Sequence, residues 1–120
     1  RANLYREAGA DMIFPEGLES DAEFAEFAKG SPGLLLANMT EFGKTPDVPV
    51  QRLEQLGYQL AIYPLSMMRL AMGHVARGLQ SLREHGSVRE VLPEMQTRQE
   101  LYDLLGYTPG VQWNFPSNAK

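Results

Sequence analysis

A few positions in this chain carry polar groups whose types and spacing could do chemistry. Glu16 follows Phe14-Pro15, and Asn38, Thr40 and Glu41 bracket Met39. Ser66 and Arg69 follow Tyr63-Pro64-Leu65, and Arg98 opens the stretch Thr97-Arg-Gln-Glu100. An arginine forks a carboxylate through two parallel N–H bonds, while amide and hydroxyl groups donate single hydrogen bonds. A carboxylate can accept a hydroxyl proton or hold a metal-bound water. Gathered on one rim, such a set suits a polyanionic small molecule. Each residue also has a plainer reading. Glu16 reads equally well as a loop acid before the next helix. Asn38 and Thr40 are common turn formers, and on spacing alone turn duty comes first. Arg69 can be solvated on the polar side of a helix. Arg98 stands at the first position of a capped helix, where the macrodipole disfavours a cation by a few tenths of a kcal/mol, about 0.3 or more.

For these residues to share a rim, they must stand at the ends of parallel strands. Three short apolar runs, DMIFP from Asp11, GLLLANM from Gly33 and LAIYPL from Leu60, lack strict alternation. Strands buried on both faces of a parallel sheet look like this, although a buried helical segment of the same length would too. The flanking Gly9, Gly33 and Gly57 favour strands. Helical stretches separate them. Ser20-Asp-Ala-Glu23 has the form of a capping box. Pro49 can start a helix that runs through Leu53 and Leu56 and stops at Gly57. Alternating strands and helices imply βαβ units and a parallel sheet, with ligands bound at the C-terminal strand ends. Three strands alone would leave two raw edges. A stripe of Met68, Ala71, Met72, Val75, Leu79 and Leu82 then predicts a long helix from about Ser66 to Glu84, ended by Gly86. Ser87-Val-Arg-Glu90 and Thr97-Arg-Gln-Glu100 have the form of two further capping boxes. Residues 1–86 thus read as βα units, 87–106 as C-terminal helices, and 107–120 as an irregular tail.

Composition narrows the function classes. The chain has 120 residues, 43% hydrophobic and 22% charged, an ordinary globular mix. Its net charge is −4 with no lysine or arginine block, which argues against a nucleic-acid footprint. No apolar run approaches the roughly 18 residues of a membrane span. The absence of cysteine excludes a disulfide framework, a thiolate zinc site and a cysteine nucleophile within these residues. Two histidines are too few for an all-histidine metal site. The methionines, including Met67, Met68 and Met72, fit core or interface filling better than a cofactor box.

Four segments then carry a resemblance. Ala8–Glu16 (AGADMIFPE) resembles the sixth-strand segment of the isocitrate lyase/phosphoenolpyruvate mutase superfamily, and Leu36–Pro46 (LANMTEFGKTP) its seventh. Ala61–Ser66 with Arg69 is similar to the eighth strand and following helix. Met95–Tyr102 (MQTRQELY) is similar to a C-terminal helix motif of the 2-methylisocitrate lyases. The match runs in order from about Gly9 to Tyr107. It implies an α/β fold, the C-terminal part of a (β/α)8 barrel covering about strands six to eight plus the C-terminal helices. It implies a cytoplasmic, homotetrameric, Mg2+-dependent carbon–carbon lyase that cleaves 2-methylisocitrate to pyruvate and succinate in propionate breakdown, with helices exchanged between subunits. Carried over by position, Glu16, Asn38, Met39, Thr40, Arg69 and Arg98 contact substrate. Asn38 and Thr40 hold the carboxylate of the succinate-forming part, and Glu16 lies near the metal, reaching it through water at most.

The same resemblance assigns the proton-donating cysteine loop and the Mg2+ aspartates to earlier strands. No catalytic residue and no direct metal ligand is therefore expected in this chain. A complete barrel takes about 250 residues. The expectation is a piece whose partner is the N-terminal part of the same barrel, inactive by itself, with no nucleic-acid or membrane partner. Rival readings are a related activity on isocitrate or oxaloacetate, and a non-catalytic assembly module using the methionine-rich helix.

Overall fold

The computed structural model describes residues 1–113. The chain divides into two compact units, Arg1–His74 and Val75–Lys120. The tail reading is open to inspection only as far as Trp113; Phe115 and Pro116 lie outside the described residues.

The first unit runs α1 (Ala2–Glu7), β1 (Met12–Ile13), α2 (Asp21–Gly30), β2 (Leu34–Asn38), α3 (Val50–Leu56), β3 (Leu60–Ile62) and the start of α4 (Ser66–His85). The strands form one parallel sheet in the order β1-β2-β3. Met12 pairs with Leu34 and Ile13 with Leu35; Leu36, Ala37 and Asn38 pair with Leu60, Ala61 and Ile62. This is the expected parallel α/β arrangement, with shorter strands than the apolar runs suggested. Pro15 and Pro64 explain the early stops, since proline has no N–H to give the ladder.

Local sequence explains the helices. The Ser20 hydroxyl accepts from the Glu23 N–H at 3.2 Å, but the Glu23 carboxylate accepts from Glu19 rather than Ser20, at 2.7 Å. The cap is therefore a one-way variant of the predicted box. Pro49 takes the N-cap place of α3, and Gly57 closes that helix in the left-handed region at φ 91°.

The core contains Ile13, Phe24, Leu35, Ala37, Met39, Val48, Leu53 and Tyr58. Phe24, Leu35 and Leu53 are its largest fully buried side chains. Burial of each contributes about 1.5–3 kcal/mol. The Tyr58 ring packs on Phe24 at 5.4 Å, and its hydroxyl donates to the Phe24 carbonyl at 3.3 Å. Burial pushes the Tyr58 phenol up to about 12. Strand β2 buries only alternate residues, Leu35 and Ala37, and leaves Leu34 exposed and Leu36 half-buried. The sequence reading has both faces covered; among the described residues one face alone is closed.

Gly33 sits at φ +126°, and a Cβ there would lie 2.7 Å from Nη1 of Arg6. Arg6 in turn donates to the Leu34 carbonyl at 2.9 Å, tying α1 to β2. Gly33→Ala meets both backbone strain and that guanidinium, so it destabilises by roughly 1–3 kcal/mol. Urea unfolding checks this; an unchanged midpoint would refute it.

In the second unit, α4 continues to His85 and Gly86 takes φ 64°. Ser87-Val-Arg-Glu90 does not cap an α-helix. A 3-10 segment, Arg89–Glu94, follows it, with Val88 at its N-cap and Pro93 inside. The proline pushes Leu92 away from the α region and removes a donor, so only a short tight turn forms. Helix α5 (Arg98–Leu105) has the full reciprocal box between Thr97 and Glu100 and ends at Gly106. The Trp113 indole N–H donates to the Leu105 carbonyl at 3.0 Å. Met67, Met68 and Met72 on α4 are exposed and so do not fill the core. No helix among the described residues is long and apolar enough to cross a membrane.

Candidate functional site

The C-terminal ends of β2 and β3 bring several of the expected residues together. Asn38 is the last residue of β2 and pairs with Ile62, the last of β3. The Thr40 hydroxyl donates to Asn38 Oδ1 at 2.8 Å. That bond leaves the Asn38 Nδ2 amide as a donor with no partner among the described residues, held on a half-buried strand end. Met39 is buried in the core, and its N–H donates to the Ile62 carbonyl at 2.9 Å. It therefore seats the turn, and its backbone N–H is not available to a ligand.

Beyond Thr40 the chain turns through Glu41 and Phe42, which has φ 63°, a left-handed value unusual for a bulky residue. Glu41 reaches across to the start of α4. Ser66 donates to Glu41 Oε1, and Arg69 Nη1 donates to Glu41 Oε2 at 2.6 Å and to the Glu41 carbonyl at 2.9 Å. Ser66 and Arg69 are three residues apart and share a helix face, so one carboxylate serves both. The hydroxyl bond from Ser66, the backbone geometry of Glu41 and the Arg69 guanidinium hold the Glu41 carboxyl below the usual carboxylate range. The Phe42 ring lies 5.4 Å from the Arg69 Cζ atom, a cation–π contact. A cleft of about 350 Å3 opens here, lined by Met39, Thr40, Glu41, Phe42, Thr45, Pro46, Asp47, Tyr63 and Ser66; Asn38 and Arg69 are outside this lining and bond to its Thr40 and Glu41.

Glu16 is placed elsewhere. It is exposed beyond β1 and lines a separate hollow of about 630 Å3 with Tyr5, Met12 and Phe14. Arg98 belongs to the second unit, exposed at the first turn of α5. The rim thus unites Asn38, Thr40 and Arg69, and adds Glu41, Ser66 and Phe42, which the sequence reading left out of the binding set. A usable signal existed: a carboxylate just past one strand end and a Ser/Arg pair at helical spacing just past the next.

Chemically, the rim offers an amide donor, a hydroxyl and a guanidinium anchored at one nitrogen. Such a group recognises carboxylates. It contains no His, Cys or Lys poised as a nucleophile or base. Among the described residues, no cluster of three or more His, Cys, Asp or Glu side chains could hold a metal ion.

The family described as phosphoenolpyruvate phosphomutase matches residues 1–83. The 2-methylisocitrate lyase of Bacillus subtilis (strain 168) is 49% identical over 107 residues, covering 89% of this chain and 36% of that protein. That of Escherichia coli (strain K12) is 42% identical over 108 residues, covering 89% and 36%. The chain thus spans about a third of the length of the curated relatives it matches. Among solved structures, an oxaloacetate acetylhydrolase bound to 3,3-difluorooxalacetate superposes with TM-score 0.75 at 27% identity, over 86% of this chain and 34% of that one. A 2,3-dimethylmalate lyase superposes with TM-score 0.73 at 26% identity, over 88% and 37%. With most of its length inside the matched family, and with lyases of 42–50% identity as relatives, the chain belongs to the phosphoenolpyruvate phosphomutase family.

Proposed function

We propose that this chain forms the substrate-carboxylate wall of a carbon–carbon lyase that cleaves 2-methylisocitrate to pyruvate and succinate. The observation that carries the reading is the β2–β3 rim: Asn38 Nδ2 and the Arg69 guanidinium stand at adjacent strand ends with donors to spare. The identity of 42–50% to 2-methylisocitrate lyases supports that substrate over other acids. In this reading the three strands are the last of a (β/α)8 barrel, and the uncovered face of β2 looks into its interior. The apolar stripe of α4 and the helices after it serve a homotetramer with exchanged helices; the exposure of Met67, Met68 and Met72 supports this.

Cleavage removes the substrate hydroxyl proton and leaves negative charge on the departing succinate carbon. Asn38 and Arg69 bind the carboxylate of that part and orient its carbon for the break, while the Thr40 hydroxyl holds the Asn38 amide with its Nδ2 free to donate. Fixed donors near the developing charge lower the barrier because they need no reorganisation. Glu16 lies toward the pyruvate-forming end. A Mg2+ ion belongs to the proposed enzyme, but the described residues do not form a site for it. A second reading, hydrolysis or cleavage of a smaller diacid, has a specific motive. The solved structures that superpose on this chain include an oxaloacetate acetylhydrolase and a 2,3-dimethylmalate lyase.

The test is a panel assay of the full-length protein with 2-methylisocitrate, isocitrate, oxaloacetate and 2,3-dimethylmalate. The expected result is a kcat/KM for 2-methylisocitrate at least about tenfold above isocitrate, which differs from it by one methyl group, and a margin no smaller over oxaloacetate and 2,3-dimethylmalate. Turnover of oxaloacetate or dimethylmalate without turnover of 2-methylisocitrate would sink the first reading in favour of the second.

A further inference from the structure

We propose that Glu41 is a positioning residue: it pins one nitrogen of Arg69 so that the opposite edge of the guanidinium is preset to receive a substrate carboxylate. The proposal rests on the functional reading above and goes one step deeper into the same rim.

Three observations carry it. Arg69 Nη1 is held twice by one residue, at 2.6 Å by the Glu41 carboxylate and at 2.9 Å by the Glu41 carbonyl. Glu41 is itself fixed, because its second carboxylate oxygen accepts from Ser66, whose side chain is buried. The Nε–Nη2 edge of Arg69 has no hydrogen-bond partner among the described residues, while Phe42 lies against the guanidinium at 5.4 Å. An arginine left free would sample many rotamers and lose that freedom on binding. Here one nitrogen is anchored, one neighbour is an aromatic ring, and the remaining edge is the planar fork that matches a carboxylate.

Two opposite effects are at stake. The negative charge of Glu41 competes with an anionic substrate, which would weaken binding. The anchoring presets the fork, which strengthens it. The pair is partly exposed, with side chains 33% and 38% accessible, so the charge effect is screened by water. The anchoring effect therefore wins, and the sign is testable.

The experiment is steady-state kinetics on the full-length protein with 2-methylisocitrate. Glu41→Ala should raise KM about tenfold with kcat within about twofold, the signature of lost ground-state binding. Glu41→Gln, which keeps the shape and still accepts from Arg69, should restore KM to within about threefold of wild type. In an Arg69→Ala background, Glu41→Ala should cause no further loss, because residues acting through one another are not additive. Ser66→Ala loosens Glu41 without removing it and should raise KM about threefold, which covers the case of a Glu41 variant that fails to fold. A Glu41→Ala KM at or below wild type would overturn the proposal, as would additive losses in the double variant, even with Arg69→Ala impaired. Wild-type kinetics in Arg69→Ala alone would instead overturn the functional reading, and the proposal with it.

Discussion

Arg69→Ala in the full-length protein should lower kcat/KM for 2-methylisocitrate by roughly two to three orders of magnitude. Truncating one member of a buried, hydrogen-bonded charge pair costs about 2–5 kcal/mol, because the partner, here a substrate carboxylate enclosed in the assembled site, is left without its counter-charge. At about 1.4 kcal/mol per decade, a mid-range loss gives that factor. Arg69 is suited to so large an effect. It stands one turn into α4, just past β3, and Glu41 holds it from the neighbouring strand end. Arg69→Lys should recover only part of the loss, since an ammonium is a point charge without the planar fork. The measurement is kcat/KM for both variants alongside a thermal unfolding curve. A loss in activity that merely tracks a loss of fold would not support the assignment. Arg69→Ala with a wild-type melting curve and wild-type kcat/KM would refute it.

Much of this rim was legible before the structure. The apolar runs located the strands because their core residues, Ile13, Leu35 and Ala37, are the ones that bury. The strand-end rule then pointed to Asn38, Thr40 and Arg69. What periodicity could not show was which side of each strand would be covered. Leu34 and Leu36 are as apolar as Leu35, yet Leu34 is exposed and Leu36 half-buried, since the helices among the described residues close one face only. The Glu41–Ser66–Arg69 link was hidden for a different reason. Its members are 25 to 28 residues apart and meet only through parallel pairing of β2 with β3. The capping pattern at Ser87 misled because Pro93 lies beyond the four residues that define it. Glu16 was grouped with the rim on strand order, whereas its loop after β1 opens onto a different hollow.

Phe24→Ala should cost about 3–5 kcal/mol of stability, against a near-neutral Phe42→Ala. The two phenylalanines differ in burial: Phe24 is 2% exposed and Phe42 is 96% exposed. Removing the Phe24 ring takes away its own transfer energy and leaves a cavity beside Tyr58, whose ring packs on it at 5.4 Å. Tyr58 also donates to the Phe24 carbonyl at 3.3 Å, so a shift of α2 into the cavity strains that bond. The same core contains Leu35, Ala37 and Met39, which hold β2 and its turn in place. Loss of Phe24 therefore reaches the rim through the strand that carries Asn38 and Thr40. Phe42 touches no such core, and its ring lies against Arg69 instead. Its removal should leave stability within about 0.5 kcal/mol of wild type and register in KM. Denaturant unfolding of both variants decides the matter: equal losses would mean that the core is not where the buried residues place it, and a Phe24→Ala protein with wild-type stability would exclude the packing of Phe24 on Tyr58 described above.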